Sequence, residues 1–136
     1  MDIFLFGTLL HIPLLKEVSG DSMVTDKISW AIRPGYRVSR VTGQVFPMMH
    51  EDPDGVAEGI LVKGLDEEAV ARLDYYETAF GYERVVFAVL DENQMSREVT
   101  AYMPPEGRWI PSRPWDREHW IATYGELTTL TAAEAM

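Results

Sequence analysis

The chain has no cysteine among its 136 residues, which excludes disulfides, thiol nucleophiles and most structural zinc sites in one step. Any catalysis must therefore use oxygen or nitrogen groups. Positive charge is also scarce, with 12 Lys and Arg against 22 Asp and Glu for a formal net charge of −10. Binding to a phosphate backbone needs clustered Lys and Arg, so no nucleic-acid partner is expected and a small or cationic one is. No run approaches the roughly 18 uncharged apolar residues of a membrane-crossing helix, and no membrane association is expected. The start, Met1-Asp2, enters strand-like sequence without a positive n-region or a small-residue cleavage site, so a cytoplasmic location is the expectation. There is no low-complexity run and no internal repeat. The closing "LTTLTAAEAM" lacks a charged, polar end, as in a piece of something longer.

Chemical motifs are equally sparse. His11, His50 and His119 have no metal-ligand spacing, and no metal site is expected. "HEDPDG" lacks the alternating acidic pattern and closing glutamate of a calcium loop, and reads as a solvated hairpin turn. Ser39, His50 and Asp74 make a triad only on paper, since no "GxSxG" elbow accompanies them.

What remains is the composition of one ordinary domain, expected to span residues 1–136: 46% apolar and 25% charged residues, at a length that supports a single core. "DIFLFGT" reads as a buried strand closed by Gly7. "IPLLKEV", with Pro13 early and Gly20 beyond, reads as a short helix. From Ile28 to Val62, β-branched and aromatic residues punctuated by "RPGY", "VTG" and "EDPDG" predict strands joined by turns. "LDEEAVARLDYYE" returns to helical spacing with Asp66 as its cap. "YERVVFAVL" and "REVTAYMP" predict two strands around a polar hairpin at Asp91 to Ser96. "RPWDREHWIATYGELTTL" predicts a closing helix anchored by Trp115, Trp120 and Tyr124. This order describes an α+β domain, a small barrel-like mixed or antiparallel sheet with flanking helices.

Two features carry possible chemistry. On the second helix, positions 70, 73, 74 and 77 share a face, so Val70 and Leu73 carry Glu77 towards the core. Burial and the negative end of the helix dipole both raise the pKa of such a carboxyl, preparing it as a general acid or base. The competing reading is a structural carboxylate that pairs with Arg84 or caps a loop. Asp74 on the same face reads as structural, and only one of Glu83 and Arg84, neighbours on a strand, is expected to face inward. The second feature is "FLFGTLL". A glycine at the end of a buried strand lets a ligand approach backbone, and the N–H groups of Thr8, Leu9 and Leu10 could converge on an anion or carbonyl oxygen. A plain strand-end turn has the same sequence.

Taken in order, Phe6-Gly7-Thr8-Leu9, Leu73-Asp74-Tyr75-Tyr76-Glu77 and Tyr82-Glu83-Arg84 resemble the "YGSL/YGTL" and "LDxxEG…YxR" elements of the gamma-glutamylcyclotransferase-like family, which includes AIG2-like proteins. "PGYRV" and "VAEGILVKGL" match its texture, and the resemblance runs from about Asp2 to about Tyr102. Phe6 stands where the motif has tyrosine, and Thr78 where glycine usually follows the glutamate. The resemblance implies a small mixed barrel with a cavity, no cofactor, and a small gamma-glutamyl substrate whose glutamyl group is cyclised to 5-oxoproline with release of an amine or amino acid. It places the catalytic acid/base at Glu77 and the substrate-binding positions at Phe6, Gly7, Thr8, Leu9 and Tyr82. The alternative is a non-catalytic domain that binds a small metabolite, of the kind found joined to Nudix hydrolases.

Overall fold

The computed structural model describes all 136 residues. Its centre is a sheet that closes on itself. Strands β1 (Ile3–Leu5), β2 (Ile28–Val41), β3 (Pro47–Val62), β4 (Glu83–Asp91) and β5 (Ser96–Met103) run in the order β3-β1-β5-β4-β2, and β2 pairs back onto β3. β1 is parallel to β5 and every other pairing is antiparallel, so the α+β class and the mixed barrel are as expected. A short sixth strand, β6 (Pro111–Pro114), absent from the sequence reading, pairs with the outer end of β2. Its two prolines suit an edge position, where a missing N–H breaks no ladder.

β1 shows why "IFLF" is continuously apolar. Ile3 and Leu5 point outward into a core shared with the helices, while Phe4 and Phe6 point into the barrel beside Met49, Leu61 and Val99. Both faces are buried, so the strand shows no polar alternation. β3 crosses it so closely that a Cβ on Gly59 would lie 2.4 Å from the Leu5 carbonyl oxygen and 2.7 Å from the Phe4 ring.

Two of the three turns expected between Ile28 and Val62 are not turns. β2 and β3 run through "RPGY" and "EDPDG", where register slips: Pro34 pairs with Val56 and Tyr36 with Glu51. Gly35, at φ 84°, thus opposes a four-residue excursion, residues 52–55. A bulge absorbs the turn-forming residues because the flanking apolar pattern keeps its register on both sides. Only the segment after Val41 reverses the chain.

Helix α1 (Ile12–Ser19) ends at Gly20 in the left-handed conformation, φ 70°, and its last carbonyls accept from Arg72, at 2.7 Å from Val18 and 2.8 Å from Glu17. Helix α2 (Glu67–Thr78) starts at Asp66, whose carboxylate accepts from the Ala69 N–H at 2.8 Å as its sequence position predicts. The C-terminal helix runs from α3 (Arg117–Trp120) through a wide π turn (Ile121–Gly125) into α4 (Glu126–Ala135). Gly125 sits where a Cβ would come within 3.1 Å of the His11 ring. No helix is long and apolar enough to cross a membrane.

Candidate active site

After Leu5 the chain passes through Phe6 and Gly7 into a single 3₁₀ turn, Thr8–Leu10. The Leu10 N–H donates to the Gly7 carbonyl at 3.0 Å, so one of the three amides expected to face a ligand is used inside the turn. The N–H groups of Gly7, Thr8 and Leu9 have no acceptor within the protein. A Cβ at residue 7 would approach the Pro47 ring at 3.2 Å, so the end of β1 and the start of β3 meet here at a spacing that suits glycine. Thr8 is buried, and its hydroxyl shares a 2.8 Å hydrogen bond with Tyr76 of α2.

That bond ties the turn to the helix carrying Glu77. On α2 the buried residues are Ala69, Val70, Leu73 and Glu77, the period predicted from sequence. Glu77 is 9% exposed. Burial pushes its carboxyl from the usual 4.5 up to about 8, because the charged form loses its water and gains no cation in return. Arg84 does not pair with it. The Arg84 guanidinium instead grips Asp74, with Nε–H donating at 2.8 Å, and the Tyr102 hydroxyl donates to the same carboxylate at 2.7 Å. Asp74 is held below the usual carboxylate range chiefly by the Arg84 hydrogen bond. Two carboxylates one turn apart are thus driven in opposite directions, and only Glu77 is left without a hydrogen-bond partner in the protein. Glu83 and Arg84 are both exposed, so neither turns inward.

Gly7, Thr8, Leu9 and Glu77 line one cavity of about 30 Å³, room for a carboxylate-sized group. Its remaining walls are Phe4, Leu5, Phe6, Phe46, Pro47, Phe80, Tyr82 and Tyr102. Glu77 is the only acid among these residues, and there is no Lys, Arg or His. Phe6, Gly7, Thr8, Leu9, Glu77 and Tyr82 are therefore brought together. Tyr82 contributes its ring: its hydroxyl donates to the Pro47 carbonyl at 2.7 Å, and burial followed by the nearby Glu77 raises its pKa above the phenol range. The sequence reading missed Phe46, Pro47, Phe80 and Tyr102. Phe46 packs edge-on against Phe80 and Trp109, ring centres 4.8 and 5.5 Å apart, forming an aromatic wall from three separate segments. The apolar "TAF" after Glu77 was the only local trace of it.

The paper triad is not assembled. Ser39 Oγ and His50 Nε2 are 2.7 Å apart, but His50 Nδ1 faces the Glu51 carbonyl and Asp74 is held by Arg84. No group of three or more His, Asp or Glu side chains is placed to hold a metal ion.

Against this geometry, the family described as "Gamma-glutamyl cyclotransferase, AIG2-like" matches residues 3–117. The chain belongs to that family. Among solved structures, the AIG2-like chain resembles At3g28950.1 of Arabidopsis thaliana, at 22% identity and TM-score 0.67 over 98% of this chain and 80% of that one. At5g39720.1 of the same plant gives 23% identity and TM-score 0.65 over 96% and 86%. A protein described as gamma-glutamyl cyclotransferase gives 10% identity and TM-score 0.63 over 98% and 78%. At these identities the likeness is one of fold. No curated protein matches. The AIG2-like match stops at residue 117, leaving most of the C-terminal helix outside it.

Proposed function

We propose that the protein cyclises the γ-glutamyl group of a small amide to 5-oxoproline and releases an amine or amino acid, with Glu77 as general acid/base. The observation supporting this is a buried carboxyl with no protein partner in the same cavity as three unpaired backbone N–H groups.

The substrate's α-ammonium is no nucleophile until it loses a proton. Ionised Glu77 takes that proton, and the freed nitrogen attacks the γ-carbonyl carbon to close a five-membered ring. The tetrahedral intermediate collapses as Glu77 returns the proton to the departing nitrogen and the original C–N bond breaks, while the ring nitrogen gives its second proton to the regenerated carboxylate, which passes it to the released amine. One bond forms, one breaks, and no water or co-reactant is consumed. The amides of Gly7, Thr8 and Leu9 hold the α-carboxylate or the developing oxyanion. The cavity supports the folded near-attack shape of the glutamyl chain. With the glutamyl end at the amides, the rest of the substrate lies along Phe46, Phe80 and Tyr82.

The test is release of 5-oxoproline from γ-glutamyl amino acids and γ-glutamyl amines, γ-glutamyl-lysine included. Wild type is expected to act on at least one of them, with Glu77→Gln slower by roughly 10²–10⁴-fold, the usual contribution of a positioned acid/base. Binding of these compounds without turnover, unaffected by Glu77→Gln, would favour the non-catalytic reading.

A further inference from the structure

Tyr75 and Tyr76 stand side by side on α2 immediately before Glu77, and the proposed reaction uses neither. Tyr75 is 63% exposed. Tyr76 turns inward and is half-buried, with its ring edge-on to Phe80 at 5.3 Å between centres and its hydroxyl 2.8 Å from that of Thr8. Burial holds the phenol above its ordinary range, so Tyr76 keeps its proton wherever Glu77 titrates.

The turn that Tyr76 reaches has few directional ties of its own. Its backbone bonds close within the segment, from the Leu10 N–H to Gly7 at 3.0 Å and from the His11 N–H to Thr8 at 3.1 Å. A single 3₁₀ turn of three residues is not self-supporting. Leu9 is buried in the core, an anchor that is strong but non-directional. The Thr8–Tyr76 bond is the one side-chain hydrogen bond from residues 7–10 to the rest of the protein.

Helix α2, by contrast, is fixed against three other elements. Arg72 donates to the last carbonyls of α1, and Asp74 is held by Arg84 of β4 and Tyr102 of β5. Tyr76 therefore carries the position of a fixed helix to the turn, and does so from the residue next to Glu77. The spacing matters because one small glutamyl group must meet the amides with an oxygen and Glu77 with its nitrogen, in a cavity of about 30 Å³.

We propose that Tyr76 is a positioning residue: through Thr8 it sets the amides of Gly7, Thr8 and Leu9 at their working distance from the Glu77 carboxyl, a role that presupposes the glutamyl-site reading of that cavity.

The test compares Tyr76→Phe, Thr8→Val and the double variant with wild type by melting temperature and by kcat/KM for 5-oxoproline release, measured well below the lowest melting temperature, with Tyr75→Phe as control. Each single variant leaves one hydroxyl without its partner and is expected to melt a few degrees lower. The double variant removes both hydroxyls and is expected to melt close to wild type. Activity is expected not to follow stability: kcat/KM falls roughly tenfold or more in Tyr76→Phe and stays as low in the double variant, because the amides are no longer held. Tyr75→Phe matches wild type in both measurements. Wild-type activity in Tyr76→Phe, or activity that recovers with stability in the double variant, overturns the proposal while leaving Glu77 its role. If wild type releases no 5-oxoproline, the same comparison is made on its affinity for 5-oxoproline itself. A loss of roughly tenfold in Tyr76→Phe and in the double variant then upholds the role of Tyr76 although the reaction is wrong; unchanged affinity overturns that role, and no binding by wild type overturns both.

Discussion

A carboxyl group with a pKa near 8 is mostly protonated at neutral pH, and this has consequences for activity and for folding. If the ionised form of Glu77 is the base, kcat/KM rises with pH through about 8 in the wild type. The folding consequence has the opposite sign. The unfolded chain ionises Glu77 near its ordinary value of 4.5, whereas the folded chain keeps its proton until about 8. The stability this group contributes is thus present in full below the lower value and lost as pH climbs to the upper one. At roughly 1.4 kcal/mol per unit, the loss is on the order of a few kcal/mol. Glu77→Gln carries no such group, so its melting temperature should gain on wild type between pH 5 and pH 8 and hold a constant lead above that. A lead that does not vary with pH would show that Glu77 titrates normally in the folded protein.

At the scale of elements, what the sequence shows depends on whether a feature is local. Glu77 is legible because α2 obeys a period of 3.6 and Asp66 marks its start, so two apolar neighbours aim the carboxylate. "FLFG" is legible as a strand buried on both faces for the same reason. The aromatic wall is not, since Phe46, Phe80 and Trp109 come from three segments and meet only because β3, the end of α2 and the loop before β6 converge. "RPGY" and "EDPDG" carry the residues of turns, yet strand register overrides them with a bulge. The cavity is thus a property of how the end of β1 meets the start of β3, and Gly7→Ala probes that meeting directly. Its added methyl would stand 3.2 Å from the Pro47 ring, and Pro47 must yield by a few tenths of an ångström. Because Pro47 also accepts from Tyr82, both walls shift. Gly7→Ala is expected to cost about 1 kcal/mol in stability, a modest overpacking, while kcat/KM falls roughly tenfold or more through misplacement of the amides. A change in urea midpoint with kinetics untouched would remove the amides from the proposed site.

On the scale of the whole molecule, the closed barrel leaves the cavity with a single carboxyl group and no cation, inside a protein of net charge −10. The field of such a molecule lowers the local concentration of anions and raises that of cations. It acts over about 10 Å at 0.1 M salt, far enough to reach a substrate before it docks. A γ-glutamyl diamine carries a net positive charge and γ-glutamyl-glutamate a net charge of about −2 from model ionisation values, though both present the same glutamyl group to Glu77 and the Gly7 turn. Adding salt should therefore lower kcat/KM for the diamine and raise it for the diacid, each by a factor of roughly two to five between low and physiological ionic strength, with kcat little changed because chemistry follows docking. Salt responses of the same sign for the two substrates would mean that local groups at the cavity mouth, not the molecular field, govern approach.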